Sequence, residues 1–275
     1  MVSQPFRISV VIPCFNHGEF IGEAVESVVG AKREDLELIV VDDGSTDERT
    51  RKAFQDLRAR GIKVICQENR GLSAARNAGI RASHGDYIFP LDADDHMCSG
   101  WIDRGIQILD SNPKVGVVYG DTECFGERNG RWETGPFDPD RLLSNNYIHA
   151  SALYRRSVWE QNSGYDSTIP AQGGHEDWDF WIGALEHGWR FDYVPEVFFE
   201  YRQARESMIT RAQPYLGAVE DFIARKHSRI YRESWLRLAR ERQSAKKISR
   251  RLRVLLKARL RQKLNKVTDS FWIPG

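Results

Sequence analysis

The sequence predicts an α/β fold, a mixed and mostly parallel sheet flanked by helices, followed by a basic helical extension. Three observations predict it. Short β-branched runs alternate with amphipathic stretches through the first hundred residues. Those runs stop abruptly in polar residues, and aspartates are frequent among them. Beyond Pro214 the strand pattern ceases and the composition turns helical and basic. Alternating strands and helices imply right-handed crossovers, which cover a parallel sheet on both faces.

Ile8–Ile12, Leu36–Val41, Lys63–Cys66 and Tyr87–Leu91 read as buried strands because they are short, continuous and apolar. Glu19–Val29, Asp47–Arg60, Ser73–Ala82 and Trp101–Leu109 read as the helices around them. Ser45-Thr46-Asp47-Glu48 supplies capping oxygens and first-turn acids, and Gly61 follows the end of that helix. Further on, Val117–Tyr119 and Ala152–Tyr154 are expected as strands, joined by a polar stretch with glycine and proline. A helix over Glu176–His187 and a strand over Glu196–Tyr201 complete the pattern. The expected division is a domain over 1–212 and a helical extension over 213–275.

At 275 residues, with 41% apolar and 29% charged content, the chain can bury a substantial core and is not a disordered segment. The N-terminus reads as lacking a secretory leader, and no stretch reaches the roughly 20 apolar residues of a membrane span. A cytoplasmic protein is expected. Cys14, Cys66, Cys98 and Cys124 form no Cys-x-x-Cys pair, so reduced thiols are expected rather than a zinc site.

The net charge of +1 conceals an asymmetry. From Arg225 to Lys266 there are 17 basic and two acidic residues, a charge of +15, against −13 for residues 1–224. Ile248, Leu252, Leu256, Leu260 and Leu264 recur at helical spacing within the 245–267 stretch, surrounded by Lys and Arg. Such a helix suits an anionic membrane surface, here the inner face, or docking on the acidic domain or on a second subunit. Nucleic acid is not expected as a partner, because stacking aromatics are not interleaved with the charges.

In parallel sheets, ligands bind beyond the carboxyl ends of the strands. One strand empties into Asp92-Ala93-Asp94-Asp95, whose self-repulsion asks for a cation or donors. Carboxylate oxygens suit Mg²⁺ or Mn²⁺ shared with substrate phosphates, although a solvated acidic turn has the same pattern. A second strand ends in Asp42-Asp43, and the first in Pro13-Cys14-Phe15-Asn16. If these ends are neighbours, an Asp for base or ribose, Arg76 for phosphate and a metal-binding acid pair share one nucleotide-diphosphate pocket. Arg76 fits a surface helix position equally well.

These segments, with Gly71–Gly79, Tyr119-Gly120-Asp121, Gly174-His175-Glu176-Asp177-Trp178 and Phe199-Glu200-Tyr201-Arg202, resemble the family 2 glycosyltransferases. The resemblance covers roughly three quarters of the chain and implies the GT-A fold and an inverting transfer in a single displacement. It further implies Asp43 at the nucleobase, Pro13 and Phe15 lining the base pocket, Asp92 at the ribose or sugar, and Asp94 on the metal. No histidine follows Tyr201-Arg202, which leaves Arg205 as that loop's candidate contact.

A single displacement needs a general base beside the acceptor hydroxyl. Glu176 and Asp177 open a helix whose positive end favours ionised acids. Helical spacing puts Asp177 with Phe180, Trp181 and Ala184, an anomalous place for an acid, and Glu176 with Asp179 and Gly183. Asp177 is therefore expected as the base, Glu176 as a supporting acceptor contact, and Trp178 as a weaker acceptor platform, with capping charge the plain alternative. The expected donor is a nucleotide-diphosphate sugar, a UDP-sugar first among them, and the acceptor a glycan or glycolipid hydroxyl. A sugar-phosphate nucleotidyltransferase and a noncatalytic nucleotide-sugar-binding module are the rival readings.

Overall fold

The computed structural model describes residues 6–170, 174–204, 212–244 and 246. One compact unit extends to His227, and a second begins at Ser228.

The first unit is built on a nine-stranded mixed sheet. Strands β1 (Ile8–Cys14), β2 (Leu36–Asp42), β3 (Lys63–Cys66) and β4 (Tyr87–Pro90) run parallel, ordered β3-β2-β1-β4. β8 (Leu153–Arg155) continues the sheet antiparallel to β4, followed by β6 (Val115–Gly126), β9 (Arg190–Gln203) and β5 (His96–Met97). β7 (Gly130–Trp132) hairpins back onto β6. All seven residues of β1 are buried, as expected of a strand covered on both faces.

Helices α1 (Ile21–Val29), α2 (Glu48–Ala59), α3 (Leu72–Arg81) and α4 (Ile102–Ser111) fill the crossovers. α1 buries Ile21, Ala24, Val25 and Val28, a single apolar stripe. Asp47 caps α2 by accepting from the Thr50 N–H at 2.8 Å. α3 lies so close to the sheet that a Cβ at Gly79 would stand 2.3 Å from Val11 Cγ1. In α4 and β9, Trp101 stacks on Phe198 at 4.1 Å and donates its indole N–H to that residue's carbonyl.

Two short helices, α5 (Pro139–Ser144) and α6 (Arg156–Gln161), and the longer α7 (Glu176–Glu186) flank the second half of the sheet. The strand expected at Val117–Tyr119 runs on to Gly126 because its polar part is satisfied internally. Asp121, 1% exposed, accepts from Arg131, Thr134 N–H and the Tyr193 hydroxyl.

The first compact unit includes residues beyond 212. A 3₁₀ turn (Gln213–Tyr215) and α8 (Leu216–Lys226) belong to it. Lys226 bridges Asp166 and Asp179 at 2.8 and 2.7 Å, and His227 bridges Asp179 and Glu186 at 3.0 and 2.8 Å. These contacts fasten α8 to α7. The second unit contains a helix over 228–244 with Trp235, Leu236 and Leu238 exposed. Most of the expected 245–267 helix lies outside the described residues.

Candidate active site

The pairings bring the acidic strand ends together. Cys14 pairs with Asp42, while Val11 pairs with Pro90 and accepts from the Leu91 N–H, so Asp92 leaves β4 beside the exit of β1. Asn16, in the left-handed region at φ 57°, accepts from the Thr46 N–H at 2.8 Å and locks the β1 exit to the β2 exit. Pro13 is buried at this corner, whereas Phe15 is 41% exposed, suiting it to lie against a base.

Asp42 and Asp43 differ in circumstance. Asp43 is 3% exposed, and both its oxygens are occupied: Oδ1 accepts from Gln67 and the Arg70 N–H, Oδ2 from the Gly71 N–H. It braces the loop leading into α3, so the oxygens expected at a nucleobase are engaged within the protein. Gly44 is needed there at φ 73°, since a Cβ would meet the Asn69 nitrogen at 2.7 Å. Asp42, half-buried with Oδ1 on the Ser45 N–H at 2.8 Å, is the acid of this pair left for a ligand.

Within the Asp92–Asp95 turn, Asp92 and Asp94 are partly exposed and Asp95 is fully buried. Burial and the neighbouring Asp92 charge raise the Asp94 carboxyl, a state that a bound cation would relieve. Burial would raise Asp92 too, but Arg76 outweighs it and holds it low. Asp95 does not cap the next helix. Its Oδ1 accepts from the Arg202 N–H at 2.9 Å, joining the turn to β9. Among the described residues, no cluster of three or more His, Cys, Asp and Glu could hold a metal. The turn offers the one or two carboxylates, Asp94 and Asp92, that Mg²⁺ or Mn²⁺ would take if phosphates and water filled the remaining positions.

Arg76 is not offered to a phosphate. It is 1% exposed, and its two terminal nitrogens donate to Glu176 Oε1 and, at 2.6 Å, to Asp92 Oδ1. The arginine expected to hold a phosphate instead joins the acidic turn to the start of α7. Its partner Glu176 is 4% exposed, and burial pushes its carboxyl up to about 7 against the pull of Arg76.

His175, at φ 67°, turns the chain sharply into α7 and presents two consecutive acids. Their burial is the reverse of that expected from helical spacing: Glu176 is the buried one and Asp177 is partly exposed. Asp177 Oδ1 accepts from Asn146 Nδ2 at 2.9 Å and from the Trp178 N–H at 2.8 Å, while burial raises its carboxyl. Trp178 is no sugar platform, being 3% exposed with its indole N–H on the Leu142 carbonyl at 2.7 Å. Trp181 is core, as its spacing implied. Arg205 lies outside the described residues.

Sequence reasoning missed several neighbours. His149 packs its ring on Phe199 and Tyr201, and burial holds it down at about 4 despite the nearby Asp92, so the imidazole is neutral. Asn146 and Arg202 touch Asp177 and the acidic turn respectively. Only Arg202 carried a signal, its place in the Tyr201-Arg202 pair. A cavity of about 760 Å³ lies elsewhere, between α1, α2 and β5. Four of its five acids, Glu19, Glu23, Glu26 and Glu200, are already paired with Arg49, Arg202, Arg60 and His96.

The part of the chain that carries the acidic strand ends matches a known family. The model of glycosyl transferase family 2 fits residues 9–164. The chain belongs to that family. Its fold is GT-A, and as a family 2 glycosyltransferase it is an enzyme of sugar transfer.

The transferase is 28% identical over 238 residues to the uncharacterized glycosyltransferase EpsJ of Bacillus subtilis, covering 80% of this chain and 67% of that one. The crystal structure of S. aureus TarS 1–349 in complex with UDP-GlcNAc superposes with a TM-score of 0.61 at 19% identity, covering 74% and 61% of the two chains. The mannosyltransferase PcManGT of Pyrobaculum calidifontis, in complex with GDP-Man and Mn²⁺, gives 0.55 at 20% identity, with 76% and 62% covered. The transferase therefore spans 61–67% of these three chains, and 43% of the longer S. aureus TarS chain.

Proposed function

We propose that the chain is an inverting glycosyltransferase that moves a sugar from a nucleotide-diphosphate sugar to a hydroxyl of a glycan or lipid-linked acceptor. One observation carries this reading: Arg76 ties Asp92, on the donor side, to Glu176, and so sets the accessible Asp177 beside it. The nucleotide sugars bound by TarS and PcManGT support a nucleotide-sugar donor, and the UDP-GlcNAc of TarS supports a UDP-sugar.

Phe15 and Asp42 receive the nucleoside at the exits of β1 and β2, and Asp92 faces the ribose or sugar. Asp94, with Asp92, would hold Mg²⁺ or Mn²⁺, which supplies positive charge to the departing diphosphate. Asp177 takes the proton of the acceptor hydroxyl as its oxygen bonds to the anomeric carbon. The carbon–oxygen bond to the diphosphate breaks, and its electron pair leaves with the nucleoside diphosphate. Asn146 holds one oxygen of Asp177, leaving the other to receive that proton. Glu176 cannot serve as readily, since Oε1 is taken by Arg76 and Oε2 is buried.

The Asp94→Ala variant tests the metal assignment. It is expected to lose Mn²⁺-dependent nucleotide release and to bind a nucleotide sugar more weakly in calorimetry. Unchanged Mn²⁺ dependence would remove Asp94 from the site.

No helix of the described residues is long and apolar enough to cross a membrane. The basic second unit supports contact with an anionic membrane surface, where Trp235, at 67% exposure, and Leu238 would sit at the headgroup level. Trp235→Ala is expected to weaken co-sedimentation with anionic vesicles. Equal sedimentation of the two proteins would count against the membrane.

A further inference from the structure

Arg202, near the end of β9, makes contacts for which the transfer steps above have no use. Its backbone N–H donates to Asp95 Oδ1 and its Nε–H to the Asp94 carbonyl, each at 2.9 Å. A terminal nitrogen donates to Glu23 Oε2 of α1 at 2.5 Å. The guanidinium also lies against Phe20 and Phe125, 4.5 and 4.4 Å from their ring centres. His96, just past the acidic turn, stacks on the same Phe125 at 4.7 Å and bonds Glu200 at 3.0 Å. One side chain, 19% exposed, thus fastens the acidic turn to β9, to α1 and to the end of β6.

We infer that Arg202 is a positioning residue that fixes the Asp94–Asp95 peptide and thereby sets how tightly Asp94 holds a divalent cation with a nucleoside diphosphate. The inference rests on the metal reading given above. A carboxylate's aim follows the backbone that carries it, and the Asp94 carbonyl is held by a planar donor that is itself immobilised by two rings. A lysine carries its charge at one point on a flexible stem and has no Nε–H fork, so it cannot reproduce both contacts. Partners that orient a metal ligand from outside are typically worth 10–100-fold in metal affinity.

The test measures Mn²⁺ uptake by electron paramagnetic resonance in the presence of UDP, and separately of GDP. It compares the full chain with Arg202→Lys and with Phe125→Leu, which weakens the packing and keeps every hydrogen bond. Thermal melting and the Mn²⁺ dependence of nucleotide release are recorded alongside. Arg202→Lys is expected to bind Mn²⁺ with nucleotide about 10-fold or more weakly, with turnover recovering at saturating Mn²⁺. Phe125→Leu should show a smaller loss in the same direction. A folded Arg202→Lys protein whose Mn²⁺ affinity stays within about twofold of the parent overturns the inference. If that variant does not fold, unchanged affinity in Phe125→Leu does the same. A parent protein that takes up no Mn²⁺ with either nucleotide overturns the metal reading itself, and this inference with it.

Discussion

Asp177→Asn is expected to bind donor as the parent does while turning over roughly 10²–10⁴-fold more slowly, the range for a lost general base. The amide keeps the volume and can still accept from the Trp178 N–H, so the start of α7 should survive the change. What it cannot do is take a proton. The pH profile carries a second signature. Burial raises the Asp177 carboxyl above its ordinary value, so the acid limb of the parent should lie above that of an exposed aspartate. Activity falls as pH drops through this raised value, because the protonated acid cannot act as a base. In Asp177→Asn that limb should vanish. Rates near those of the parent, or an unmoved acid limb, would take the base role away from Asp177.

The second large effect concerns stability. Arg76→Met leaves Glu176 buried without its cation and frees Asp92, and a broken buried ion pair costs about 3–5 kcal/mol. For a domain of this size that lowers the melting temperature by roughly 6–20 °C. The pH dependence has a definite sign. Glu176 without Arg76 has a folded pKa above its unfolded value of about 4.3, so the folded protein binds the extra proton. Beside Arg76 that carboxyl already sits at about 7, so the deficit is greatest above pH 7 and shrinks as pH falls below it. Adding Glu176→Gln should recover part of the loss, since no uncompensated charge remains there. An unchanged melting temperature in Arg76→Met would show that the bridge contributes nothing.

The parts of this molecule written in local pattern were legible in its sequence. The continuous runs at Ile8–Ile12 and Leu36–Val41 are strands, and the acids following Leu91 stand at a strand end as their context implied. What failed depends on distant partners. Glu176 is buried because Arg76, a hundred positions away, is brought against it, and no helical-face argument contains that fact. Asp43 and Trp178 are ordinary candidates until Gly71 and Leu142 are seen to occupy them. β7, α5 and α6 are too short to announce themselves by periodicity. Asn146, in a polar loop, gains a role only through its contact with Asp177.

The central claim is that the acidic turn and Asp177 form one machine for transferring sugar from a nucleotide. A panel of nucleotide sugars, scored by free nucleotide released with Mn²⁺ and with chelator, tests it most directly when the parent and Asp177→Asn are run together. The parent is expected to release nucleotide from a preferred donor only with metal, and Asp177→Asn to release far less from the same donor. Release that ignores both the chelator and the Asp177 substitution would contradict it.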